Sequence, residues 1–178
     1  MAMARYAVFL RGVNVGGITI RSAELRQAFE SLPVSGVKTL LASGNVVCTS
    51  GLTADELKSH SEQLLRERFG YDAWVVVLEF RTLEGIVAQC SFPPDDPATH
   101  TYLTLFSDPA ALDEMLEFAR SAGEPVQALD STALVWQAPK GGTLDSPLNA
   151  FSNRARIRST TTTRNLRTVL KVLAALRE

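Results

Sequence analysis

The residues best suited to chemistry fall in three short blocks. The first, Arg11-Gly12-Val13-Asn14-Val15-Gly16-Gly17, follows the apolar run Ala7-Val8-Phe9-Leu10 directly. A strand that empties into glycines gives the backbone access to positive φ and lets a ligand approach the main chain, while Arg11 and Asn14 add side-chain donors beside exposed amides. That combination suits a small anion, and it is equally the composition of a tight turn. It is neither GxGxxG opening a helix nor GxxxxGK[ST], so no dinucleotide or P-loop assignment follows.

The second block, Ser43-Gly44-Asn45, divides the β-rich runs Val37 to Ala42 and Asn45 to Thr49. It reads as the tip of a hairpin, and no GxSxG elbow surrounds the serine. The third, Thr163-Arg164-Asn165, reads as the start of the final helix. Threonine hydroxyls supply caps there, but the first turn would then hold Arg164 and Arg167 and no acid. A cation near a helix N-terminus opposes the macrodipole at a cost on the order of 0.3–1 kcal/mol, which a bound phosphate or carboxylate would offset. The other reading is a threonine-rich cap whose arginines pair with acids elsewhere.

Acid and base groups are sparse. His60 lies in the polar pattern of a helix and His100 beside a proline-rich loop; neither has a nearby acid to orient it or a motif serine to activate. No zinc or calcium spacing occurs. The sequence therefore assigns no catalytic residue, metal or cofactor, and leaves open whether the protein is an enzyme.

The elements that must position these blocks follow from periodicity. The first strand and its loop lead to a helix carrying Leu25, Ala28, Phe29 and Leu32, ended by Pro33. The hairpin comes next, then a helix from Thr53 to about Phe69 with Glu56 completing a capping box and Gly70 stopping it. Trp74 to Leu78 is an unbroken apolar strand. The order βαββαβ is the ferredoxin-like, split βαβ arrangement, so residues 1–80 are expected to form a ferredoxin-like subdomain of an α+β fold.

Residues 81–98 read as a short helix and a proline-rich connection. Residues 99–178 read as a second α+β subdomain. Its elements are a strand over Tyr102 to Phe106, a helix from Pro109, strands Glu124 to Leu129 and Ala133 to Gln137, and a helix around Ser146 to Arg154. An amphipathic last helix carries Leu166, Val169, Leu170, Leu173 and Leu176. The back half thus resembles the front half in element order, without an obvious last strand.

Composition sets the class. A chain of 178 residues with 46% apolar and 21% charged residues is ordinary for a folded soluble protein, and should bury roughly 70% of its unfolded surface. Cys48 and Cys90 have no CxxC partner and read as reduced thiols. No apolar run is long enough for a signal peptide core or a membrane span, so a cytoplasmic protein without membrane partners is expected. The net charge of −1 conceals a split: ten Lys/Arg against seventeen Asp/Glu before residue 140, and eight against two from Lys140 onward. A basic C-terminal region calls for an anionic partner or for acidic groups of the same chain.

Taken together, Phe9 to Gly17, Ala42-Ser43-Gly44-Asn45-Val46-Val47, and Thr162-Thr163-Arg164-Asn165 with Thr168-Val169 resemble the signature blocks of a bacterial family catalogued as domain of unknown function 1697. The likeness runs from the first strand to the last helix. It implies a small cytosolic α+β protein with a ferredoxin-like first part, and blocks that converge in space. Family members often carry Trp after the Arg-Asn pair, where this chain has Leu166, which removes an aromatic stacking partner.

Three function classes follow. The first is binding of a phosphorylated or other anionic small molecule in a cleft formed by Arg11, Gly12, Asn14, Gly16, Gly17, Ser43, Gly44, Asn45, Thr163, Arg164 and Asn165. The second is a single-stranded nucleic-acid module using the basic region, although the opening strands lack the paired aromatics of an RNP motif. The third is a structural or interaction protein without ligand. Oligomeric state is open.

Overall fold

Strand pairing in the computed structural model, which describes residues 2–13, 18–41 and 44–178, produces two antiparallel four-stranded sheets in an α+β chain. Contacts divide the chain into two units, Met1–Glu84 with Lys171–Glu178, and Gly85–Leu170.

In the first unit β1 (Ala4–Arg11), α1 (Ser22–Phe29), β2 (Val34–Leu40), β3 (Asn45–Ser50), α2 (Ala54–Phe69) and β4 (Trp74–Glu79) follow one another in the expected βαββαβ order. The sheet order is β2-β3-β1-β4. Side chains alternate along a strand, so Tyr6, Val8 and Leu10 of β1 share a face with Val46 and Cys48 of β3 and Val75 and Val77 of β4. Those residues form one buried cluster with Leu25 and Phe29 of α1 and Leu57 and Leu65 of α2, which places both helices over that face. The alternate set, Ala7, Phe9, Val47, Val76 and Leu78, is buried as well, which accounts for the unbroken apolar runs.

Local signals fix the ends of α2. Thr53 Oγ1 accepts the Glu56 N–H at 3.3 Å while the Glu56 carboxylate accepts the Thr53 N–H at 2.8 Å. Gly70, at φ 66°, takes the left-handed turn after the helix and donates to the Arg66 carbonyl at 2.9 Å. A further helix, α3 (Phe80–Gln89), follows β4 without a break.

The second unit contains β5 (Thr99–Phe106), α4 (Pro109–Ser121), β6 (Val126–Leu129), β7 (Ala133–Pro139), a 3-10 turn at Thr143–Asp145, α5 (Pro147–Ser152), α6 (Ala155–Arg158), β8 (Thr161–Asn165) and the beginning of α7 (Leu166–Arg177). Its sheet order is β6-β7-β5-β8. Two expectations are corrected here. The back half does have a last strand, and Thr163-Arg164-Asn165 belongs to it instead of opening a helix. Threonine serves both as a helix cap and as a β-branched strand residue, and pairing with β5, from Phe106 opposite Thr161 to Tyr102 opposite Asn165, decides for the strand. The helix expected around Ser146 to Arg154 is present as α5, with Ser146 and Asn153 at its two caps, and the short α6 follows it.

With β8 in place the two units correspond strand by strand. The strands β5, β6, β7 and β8 take the sheet positions of β1, β2, β3 and β4, and α7 follows β8 as α3 follows β4. Trp136, Leu134 and Phe106 from the sheet join Leu112 and Met115 of α4 with Leu148, Phe151 and Ile157 of the short helices in a single buried cluster.

Candidate functional site

The first two blocks meet at the end of β1. Arg11 is the last residue of that strand and pairs with Trp74, while Phe9, two residues back, pairs with Asn45. Paired residues and residues two apart share a face, so Arg11, Asn45 and Trp74 lie on the same side of the first sheet. Asn45 is 1% exposed, and its amide donates to the Leu40 carbonyl at 3.0 Å, closing the hairpin.

Gly44 is the joint between the blocks. Its carbonyl accepts the Leu10 N–H at 2.9 Å, and at φ 74° a Cβ there would stand 3.0 Å from Leu10 Cβ and 3.4 Å from Val13 Cβ. A side chain has neither the conformation nor the space. Gly12 differs: its φ is 81°, but nothing lies within 4 Å of a Cβ position. The same turn holds Leu41 at φ 59°, a large exposed residue in the left-handed region, which sequence patterns do not reveal. Asn14, Gly16, Gly17 and Ser43 lie outside the described residues.

The third block belongs to the second unit and divides between two faces of its sheet. Thr163 Oγ1 and Thr104 Oγ1 are 2.9 Å apart, and the fully buried Thr104 also accepts the Trp136 indole N–H at 3.0 Å. Arg164 points to the opposite face by alternation. It is 8% exposed, and its Nη1 donates to Thr162 Oγ1 at 2.6 Å and to the Thr163 carbonyl at 3.0 Å.

Asn165 acts as a helix cap. Its Oδ1 accepts the Arg167 N–H at 2.9 Å at the start of α7, the role the sequence had suggested for the threonines. Replacing Asn165 with alanine is expected to cost about 1 kcal/mol, and aspartate to retain the cap. Thermal unfolding of the two variants measures this, and equal melting temperatures would remove Asn165 from the capping role.

The basic region finds acidic partners in its own chain. Arg156 pairs with Glu114 at 2.6 Å, Arg167 with Asp95 at 3.5 Å and Arg177 with Glu84 at 3.0 Å. Arg154 lies 4.5 Å from the Phe151 ring centroid and 5.0 Å from that of Phe118. Both cysteines are free. Burial pushes the Cys48 thiol up to about 12 and raises that of Cys90, so neither is poised as a thiolate nucleophile. Among the described residues no group of three His, Cys, Asp or Glu side chains is placed to share a metal ion.

Sequence reading missed a surface cavity of about 250 Å³ in the second unit, whose lining includes His100, Lys140 and Arg167. The β5–β7 register, Thr99 opposite Pro139, brings Lys140 beside the start of β5. No local pattern signals that pairing, since β5 and β7 are separated in sequence by α4 and β6.

Comparison with known proteins completes the picture. Residues 3–133 match the model of a family described as protein of unknown function (DUF1697). No curated protein matches the chain. A solved structure described as the conserved bacterial protein SP0830 from Streptococcus pneumoniae is similar over 98% of this chain and 99% of that one, with a TM-score of 0.78 and 20% identity. At that identity the likeness is one of fold.

Proposed function

The chain belongs to the DUF1697 family of proteins of unknown function, and from that premise we propose that it is a bacterial cytoplasmic protein that binds a phosphorylated or otherwise anionic small molecule at the end of β1. The observation that carries this reading is the seating of Gly44 against Leu10 and Val13. It brings Gly44 against the end of β1 that carries Arg11. An arginine guanidinium beside main-chain amides at a strand end is a donor set that suits an oxyanion.

Within the second unit, Thr163, Arg164 and Asn165 are proposed as a separate anion-contacting group. Arg164 is a nearly buried cation held by a threonine hydroxyl and a carbonyl, and such a group is suited to a fixed, pre-oriented contact. Among the described residues no helix is long and apolar enough to cross a membrane. The opening strands lack the paired aromatics of an RNP motif, so the small-anion reading is preferred.

Thermal-shift titration with inorganic phosphate, sugar phosphates and nucleotides tests the reading. A ligand present at 100 times its dissociation constant adds about 2.7 kcal/mol of stability. Arg11→Gln is expected to remove the stabilisation. Absence of stabilisation by any anion, or full stabilisation in Arg11→Gln, would end this assignment.

A further inference from the structure

We propose that the cavity beside the start of α7 is a second, independent site, a phosphoryl-binding subsite in which Lys140, His100 and Arg167 hold the oxyanion and Asp95 occupies Arg167 when the site is empty. Its volume, about 250 Å³, is ample for a phosphate group.

Three nitrogen-bearing side chains line it from separate elements. Lys140 follows β7 and is fixed by its own N–H, which donates to the Ala98 carbonyl at 3.0 Å; its ammonium forms no ion pair among the described residues. His100 on β5 stands edge-on to Tyr102, with ring centroids 6.1 Å apart, and lines the cavity. Arg167 lies in the first turn of α7, a 12-residue helix with no acidic residue in that turn. The dipole there favours a negative charge that the helix itself does not supply.

Two carboxylates line the same cavity, and their bonding separates them. Asp96 Oδ1 accepts the N–H groups of Ala98 and Thr99 at 2.8 and 3.1 Å, so it shapes the wall. Asp95 reaches Arg167 at 3.5 Å, with its side chain 76% exposed and that of Arg167 52% exposed. An exposed pair of that length is worth little and exchanges readily for a doubly charged, better-placed anion.

Calorimetric titration with inorganic phosphate and with glycerol 3-phosphate tests the proposal on the full chain. Lys140→Gln and Arg167→Gln are each expected to weaken binding of both probes about fivefold or more, and Asp95→Asn to strengthen it about twofold to fivefold. Similar affinities for the two probes place recognition in the phosphoryl group, and tighter binding of the ester adds a contact to its glycerol. Arg11→Gln keeps this binding if the two sites are separate. Binding that survives both Lys140→Gln and Arg167→Gln, or that only Arg11→Gln removes, overturns the subsite, as does absence of binding by either probe.

Discussion

Replacing Gly44 with alanine is expected to destabilise the first unit by roughly 2–4 kcal/mol, because two costs coincide at one Cβ. The residue sits at φ 74°, and the left-handed region costs an L-residue about 1–2 kcal/mol. The new methyl would also press on Leu10 Cβ at 3.0 Å, in a strand whose Leu10 is 1% exposed and cannot retreat. Gly12→Ala is the control. It meets the conformational cost at φ 81° but no neighbour within 4 Å, so about 1–2 kcal/mol is expected. Denaturant midpoints at unchanged m-value give both numbers, and equal losses would show that the approach of the turn to β1 carries no energy.

Thr104→Val should cost about 2–3 kcal/mol although it conserves shape, since it strands a fully buried indole N–H. Trp136 and Thr104 are both 0% exposed, and their 3.0 Å bond is supplemented by the contact of Thr104 with Thr163 at 2.9 Å. Thr163 is only half-buried, so Thr163→Val should lose less than about 1 kcal/mol as water replaces it. The double variant Thr104→Val with Trp136→Phe removes donor and acceptor together. Its loss should fall short of the sum of the single losses by about 1 kcal/mol or more. Strict additivity would mean that the hydroxyl does not serve the indole.

What the sequence made legible was whatever is decided locally. The Thr53–Glu56 capping box, the Gly70 stop and the hairpin around Gly44 depend on residues a few positions apart, and all appear in the structure. β8 was not legible, because Thr161–Asn165 has too few apolar residues to show a period and its identity as a strand depends on β5, far away in the chain. The cap of α7 accordingly falls on Asn165 and not on the threonines. Site residues fared the same way. Glycines at Gly12 and Gly44 announced unusual backbone, whereas the meeting of His100, Lys140 and Arg167 required three elements to be in place.

The first unit is discontinuous in the chain, and that has a consequence for biosynthesis. Arg5 donates to the Leu176 carbonyl and Lys38 pairs with Glu178, so contacts of the first strands are completed by residues 171–178. A ribosome releases all of residues 85–170 before those partners exist. The first unit therefore becomes complete only after the whole sequence of the second has been made.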